Sequence, residues 1–406
     1  MNNDRKKVSI GTLIWAMLLV CIVTAAACGF FFKSGASASA FTSHNSGLAS
    51  KVSEINAIVD NYYINPEGET VVDHENMEDV ALFMYIRALG DRYSYYTNAE
   101  GRKRQNEETE GHFTGIGVTA TATDDDLIEI IEVYEDSPAK EAGLLTGDII
   151  IGVDGTSVYE VGYQNGVDLV LGEADTDVQL DVLRGEEELS FVITRKTIDV
   201  DAVNFRMLEG NIGYIRIRSF NDVTYDGFTD ALNELDKLTN GAGLSGIIFD
   251  LRNNTGGGLQ SIVSVLDEIL PEGDIVKLVD KEGHEKVYAS DSKEIDVPMC
   301  VLVNESTASA SELFAGSLRD YNKALIVGTR TYGKGCAIST FPLSDGSVIS
   351  IVTEMYYTAS GANFEGVGIE PDVVVELSDE QRRHIFALNE NEDPQMRAAL
   401  DILEGE

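Results

Sequence analysis

Asn304 to Lys334 reads NESTASASELFAGSLRDYNKALIVGTRTYGK, and the order of its parts decides how the rest of the chain is read. Small residues and serines open a helix, ALIVGT (324–329) follows as a strand, and the lysine stands between Gly333 and Gly335. The apolar run VPMCVLVN (297–304) feeds the segment from ahead as another strand. Strand, helix and strand in succession are the unit of a mixed α/β domain. A serine nucleophile at the helix start, served by a lysine base from the turn after the next strand, would need this layout.

The same rhythm extends to both sides. IGYIRIRSF (212–220) reads as a strand and Tyr225–Leu238 as an amphipathic helix. LSGIIFDLRNN (244–254) is a buried strand, Gly256–Gly258 opens a helix running to Leu270, and VISIVTEMYY (348–357) is a later strand. The glycine-rich turn in DLRNNTGGG (250–258) can aim backbone N–H groups at an oxyanion or a phosphate. It lacks the G-x-x-x-x-G-K-[ST] spacing of a P-loop, which argues against a nucleotide. The acidic tail, with Pro394, Met396, Leu400, Ile402 and Leu403, reads as one last helix.

Ahead of this domain the pattern changes. From Phe113 to about Thr197, short strands alternate with turns: FTGIGV (113–118), then LIEIIEVYE, then Ser137-Pro138 and AKEAGLLTGDIIIGVDG (139–155). Earlier still, Val52, Ile55, Ile58 and Val59, then Val80, Leu82, Phe83, Ile86 and Leu89, recur at helical spacing, with Pro66 and Gly68 between the two helices. A polar, charged stretch (Asn98–Glu110) leads into Phe113. Residues 34–50 are rich in small polar residues and read as a flexible linker. Arg5, Lys6 and Lys7 precede an uncharged run from Val8 to Phe32, closed by Lys33. As a helix that run is roughly 37 Å long, enough to cross a ~30 Å hydrocarbon core. The basic flank puts the rest of the chain outside the cytoplasm. Ala25–Ala27 offer a competing signal-peptide cleavage site, and Cys28 a weaker lipoprotein one. The apolar run continues past them through Phe30–Phe32, which favours an uncleaved anchor.

The 406 residues carry 30 basic and 69 acidic side chains, a formal charge of −39, which disfavours nucleic acid and anionic lipid as partners. Hydrophobic residues make up 43% of the chain, enough for two or three cored domains. Cys21 and Cys28 lie in the anchor; Cys300 and Cys336 sit in apolar surroundings, as free buried thiols or as one disulfide. His44, His74, His112, His284 and His384 are scattered, none in a metal motif, so no metal site is expected.

Three serines, Ser306, Ser309 and Ser311, compete for the nucleophile's place. Ser309 and Glu312 also fit the S-x-x-E capping box that opens many helices, so a purely structural role explains them equally well. The two roles are compatible, because a helix start favours a developing negative charge. Lys334 reads as a solvated loop tip unless burial keeps its amine neutral. Thr331, three residues before Lys334, is a poorer nucleophile, since Gly333 and Gly335 spoil the helix that would align the pair.

The segments S-A-S-E, F-A-G-S-L, TYGKG, DLRNNTGGG and GVGIEPDV (366–373) resemble the carboxyl-terminal processing peptidases, or tail-specific proteases. GIGV with S-P-A-x-x-A-G-L-x-x-G-D-x-I resembles a PDZ domain of the bacterial protease type. The resemblance covers nearly everything after Lys51 and implies a multidomain α+β fold. Its parts are an anchor (1–33), a linker (34–50), an N-terminal helical region (51–110), a PDZ domain that is a small β-barrel with helices (111–198), a mixed α/β serine-peptidase core of βαβ units (199–378) and a helical tail (379–406). It implies an endopeptidase in which Ser309 is the nucleophile and Lys334 the base. The oxyanion hole is implied at Ala310 with Gly256 or Gly257, and a peptide's terminal carboxylate at Gly115, Ile116, Gly117 and Val118. No cofactor or metal is implied, and the expected partners are protein or peptide substrates with accessible C-terminal tails. In some relatives the N-terminal helices dimerise, which offers a homodimer here. Two positions depart from the family: Ile338 stands where a supporting glutamine is usual, and Leu171 where an arginine is usual in the PDZ segment LVLG (169–172). Ile338 motivates a rival reading, a catalytically silent or tightly gated PDZ scaffold that binds C-terminal peptides.

Overall fold

The structure is a computed structural model that describes residues 46–66, 71–123 and 125–405. The expected anchor, most of the linker, and with them Cys21, Cys28 and His44, lie outside the described residues. Among the described residues no helix is long and apolar enough to cross a membrane. The chain divides into Met1–Asn76 and Met77–Glu406. In the first unit the helix Ser46–Tyr62 begins inside the stretch expected as linker, and leaves Val52, Ile55 and Ile58 exposed.

In the second unit a six-stranded sheet runs in the order Val203–Met207, Ile212–Ile217, Gly246–Asp250, Met299–Val303, Ala324–Gly328, Val373–Val374. The first pair is antiparallel and the rest parallel. All residues of Gly246–Asp250 and Met299–Val303 are buried, as a strand covered on both faces requires. The two-residue strand period divides them. Ile247, Phe249, Val301 and Val303 pack with Phe228, Leu266 and Phe314 from three helices, whereas Ile248, Cys300 and Leu302 pack with Met396 and Ala399 of the helix Pro394–Glu404. Ile247 pairs with Met299 and Asp250 with Leu302, so these neighbouring strands end side by side. Their carboxyl ends run into the glycine turn and the serine segment respectively, the edge of an α/β sheet where sites form. Cys300 and Cys336 are both free and buried, which closes the question of a disulfide between them.

A five-stranded antiparallel sheet carries the lysine. The strand Cys336–Pro342 pairs with Val348–Thr358, which also pairs with Gly273–Asp280 and with Tyr95–Thr97. The charged stretch before Phe113 is a helix, Ala99–Glu110, with no buried residue. It has no apolar stripe to betray it. Its ends hold it: Asn98 accepts from Gly101 N–H, and Gly111, left-handed at φ 88°, donates to the carbonyls of Glu107 and Glu108.

The PDZ-like segment forms a six-stranded sheet with Val118–Ala122 at its edge. Ser137 caps the short helix Pro138–Ala142, Pro138 takes its first turn, and Gly143 ends it at φ 88°, so the S-P-A-x-x-A-G signature is a complete start-and-stop signal. The second helix, Val158–Val170, is broken at Gly162.

Candidate active site

Ser309 stands immediately before the helix Ala310–Asp320 with φ 56° and ψ −118°. That is a sparsely allowed conformation for a residue with a Cβ, and such strain concentrates at working sites. Its neighbours hold it there. Ala308 N–H donates to Asn254 O at 3.1 Å, the Thr307 hydroxyl to Leu251 O at 2.9 Å, and Asn253 N–H to Asn304 Oδ1 at 3.0 Å. The serine segment is therefore stitched to the glycine turn along its whole length.

Glu312 supplies the tie to the lysine. Its carboxylate is fully buried and accepts four hydrogen bonds: Ser309 N–H at 2.9 Å and Lys334 N–H at 2.8 Å on Oε2, with Gly333 N–H at 2.7 Å and the Thr331 hydroxyl at 2.5 Å on Oε1. The S-x-x-E spacing marks a capping box, but this glutamate also seizes a loop about twenty residues further on. Thr331, the alternative nucleophile, is committed to this clamp and also accepts from Ile369 N–H at 2.7 Å. Ser311 is buried with no partner for its hydroxyl among the described residues, and Ser306 N–H turns back to Asn304. Of the three serines, only Ser309 meets the lysine loop.

Burial pushes the Lys334 amine below its ordinary value of 10.5, against the opposing pull of Cys336, Glu365 and Glu312. Its Nζ lies 5.4 Å from the centroid of the Tyr93 ring. Tyr93 O–H reaches Glu365 Oε1 at 2.8 Å and Gly333 O at 3.0 Å, while Gly335 N–H donates to Glu365 Oε2 at 2.8 Å. Tyr356 donates to the carbonyl of Lys334, and its hydroxyl also meets the Ser309 side chain. Ile338, half-buried beyond a β-bulge, brings no polar group to the lysine. The polar support comes instead from Glu312, Tyr93, Glu365 and Tyr356. Sequence reading missed these roles; only the S-x-x-E spacing and the quoted GVGIEPD segment next to Glu365 carried any signal.

Gly256 presses on the serine. A Cβ there, at φ 107°, would sit 2.9 Å from Ser309 Cβ, 2.9 Å from Ala310 N and 2.8 Å from Ala308 O. Its own N–H is already taken by Asn254 Oδ1 at 2.8 Å. Gly258 N–H goes to Phe220 O at 2.6 Å. Among the described residues, the N–H groups of Gly257 and Ala310 have no acceptor.

In the PDZ-like segment, Gly115 ends a strand, Ile116 is buried, Gly117 is left-handed at φ 87°, and Val118 starts the edge strand. The carbonyls of Ile116 and Gly117 accept from Ala139 and Tyr134 at 2.8 and 3.1 Å, whereas their N–H groups donate to nothing among the described residues. Leu171 approaches this loop: its Cδ2 lies 3.9 Å from where a Cβ on Gly115 would stand.

A strained serine at a helix start, beside a glycine turn with unengaged amides and preceded in the chain by a separate six-stranded β domain, is the arrangement of a serine protease with a PDZ domain. Residues 211–375 match Peptidase family S41, and residues 114–194 match the PDZ domain. A carboxy-terminal-processing protease from Bartonella bacilliformis is 34% identical over 331 residues, covering 80% of this chain and 75% of that one. A probable CtpA-like serine protease of Staphylococcus aureus is 31% identical over 381 residues, covering 93% and 74%. The solved photosystem II D1 C-terminal processing protease superposes with a TM-score of 0.51 at 28% identity, over 80% of this chain and 87% of that one. The chain belongs to peptidase family S41, the carboxyl-terminal processing peptidases, as the sequence motifs indicate.

Proposed function

We propose that this enzyme is a membrane-anchored endopeptidase that works outside the cytoplasm through a Ser309–Lys334 dyad and recognises substrates by their C-terminal tails. The observation that carries the dyad is the shared acceptor: Ser309 and Lys334 bind one oxygen of Glu312, within two hydrogen-bond lengths of each other. Lys334, whose amine burial shifts toward the neutral form, takes the proton from Ser309 Oγ as that oxygen bonds to the scissile carbonyl carbon. The carbonyl electrons move to an oxyanion received by the N–H groups of Ala310 and Gly257, the two left unengaged. Gly256, with its amide held by Asn254, keeps the turn against the serine. Collapse breaks the C–N bond, and the Lys334 ammonium gives its proton to the leaving amine. Water then attacks the acyl ester, with Lys334 again as base, releasing the acid and restoring Ser309.

The unengaged amides of Ile116 and Gly117 support capture of a terminal carboxylate, with the peptide laid along the edge strand Val118–Ala122. The uncharged run Val8–Phe32 with its basic flank supports the anchor, and exposed Val52, Ile55 and Ile58 support a homodimer through the N-terminal helices.

The test is casein cleavage by the full-length chain in detergent, beside Ser309→Ala and Lys334→Ala. Cleavage lost in both variants is expected; cleavage surviving in Ser309→Ala sinks the mechanism. A wild-type chain that stays silent even with added C-terminal peptides would turn the reading to the scaffold that Ile338 motivates.

A further inference from the structure

Between the PDZ domain and the catalytic loops lies a cavity of about 800 Å³. One wall is the outer face of the PDZ sheet, with Thr121, Glu129 and Ile131; another holds Asn253 and Ser306, each three residues from a member of the proposed site; Arg383 stands on the third. Glu129 is the anomaly. Its strand neighbours Ile128 and Ile130 are packed in the PDZ core, so the two-residue period turns Glu129 out of that core and into the cavity. It is only 8% exposed, yet its side chain has no hydrogen-bond or ion-pair partner among the described residues. Of the other charges on the walls, Asp379 is paired with Arg382 and Glu305 accepts from Thr329 at 3.0 Å, while exposed Asp125 adds a second carboxylate. Arg383 is exposed and solvated, with no carboxylate within 4.0 Å among the described residues, so it does not neutralise Glu129.

We propose that Glu129 is a specificity residue that binds a lysine or arginine side chain of the substrate on its way from the PDZ domain to Ser309. The inference rests on the protease reading above. A carboxylate that lines a confined wall without a partner of its own gains a charge-assisted hydrogen bond from a cation that also donates. The path follows from strand pairing. A tail held by its carboxylate at Ile116–Gly117 and paired antiparallel to Val118–Ala122 emerges at Thr121–Ala122, which line the cavity. At ~3.3 Å per residue, the side chain that meets Glu129 belongs to roughly the fifth to eighth residue from the C-terminus.

The test uses full-length Ser309→Ala, which holds peptides without turning them over. Fluorescent peptides with an apolar C-terminal residue carry one lysine, norleucine or glutamate, scanned over those positions, and anisotropy reads the affinities. At one position, lysine should bind about tenfold tighter than norleucine, the size of one charge-assisted hydrogen bond, and glutamate weaker than norleucine. Adding Glu129→Gln should erase the lysine advantage and leave the norleucine affinity unchanged, which also reports that the variant folds. No position that discriminates, or a lysine advantage that survives in Glu129→Gln, overturns the proposal. Cleavage of the same peptides by wild type is scored separately: lysine-dependent binding without any hydrolysis would sink the catalytic reading and leave Glu129 standing.

Discussion

Ser309 and Lys334, on different sheets' loops, give their backbone N–H groups to the same oxygen of Glu312, at 2.9 and 2.8 Å. A short polar clamp of this kind fixes the two loops relative to each other through backbone N–H groups, without drawing on the Lys334 amine. Glu312→Gln puts an NH₂ group against two of the four donors that the carboxylate now satisfies. Stability should fall by roughly 2–4 kcal/mol, and kcat by about a hundredfold. Urea melts and casein turnover check both; a melt shift with unchanged kcat would make the clamp purely structural.

Burial lowers Lys334, and the general base is its neutral form, so kcat/KM should rise with pH along a limb that lies below the ordinary lysine value of 10.5. Glu365 pulls in the opposite direction, toward the ammonium. Glu365→Gln should therefore move the limb to lower pH, read from a pH profile of peptide cleavage. Stability has the matching sign. Between the folded and unfolded pKa of Lys334 the unfolded chain holds more protons, so this residue's contribution makes the fold more stable as pH rises through that window.

A methyl group at Gly256 would meet Ala308 O at 2.8 Å and Ala310 N at 2.9 Å, in a backbone conformation that side chains rarely adopt. Gly256→Ala should displace the turn from Ser309 and weaken the oxyanion donors. The expected loss is about 2.7–4 kcal/mol of transition-state stabilisation, a 10²–10³-fold fall in kcat. Binding of C-terminal peptides, measured by anisotropy, should not change.

Behind the glycine turn, Arg252 donates to both oxygens of Asp250 at 2.9 and 2.6 Å and to Asp393 at 2.7 Å, all three side chains buried. Burial alone would raise Asp250, but the Arg252 charge overrides it and holds the carboxyl below its usual range. Arg252→Ala leaves two buried carboxylates without their guanidinium partner and should cost about 3–5 kcal/mol. The wild-type contribution of Asp250 is present above its unfolded pKa and is lost as pH falls through the lower folded one. Acid titration of the melting temperature should show wild type and Arg252→Ala converging toward low pH.

The parallel strands were legible because their signal is local. An apolar run such as IIFD or MCVLV must be covered on both faces wherever it lies, and the observed Gly246–Asp250 and Met299–Val303 fall inside the expected runs. The helix Ala99–Glu110 was not legible, because it buries nothing and its caps give no periodicity. Tyr95–Thr97 and Glu285–Ser290 were missed for a related reason: each is an edge strand, defined by the partner it finds and not by its own pattern. Gly256 and Gly257 were equivalent as letters, and only the hydrogen bond from Gly256 N–H to Asn254 distinguishes them.

By itself the sequence determined the order of the modules, the candidate Ser309 and Lys334, and the glycines that left-handed turns demand, because each of these is written in spacing and residue type. Tertiary structure alone decided which of the three serines faces the lysine loop. It also decided that Glu312 joins the two loops and that Glu129 is left without a partner in a cavity between domains. Those facts depend on contacts between segments far apart in the chain. No local pattern encodes them, since burial and pairing are set only once the sheets have packed.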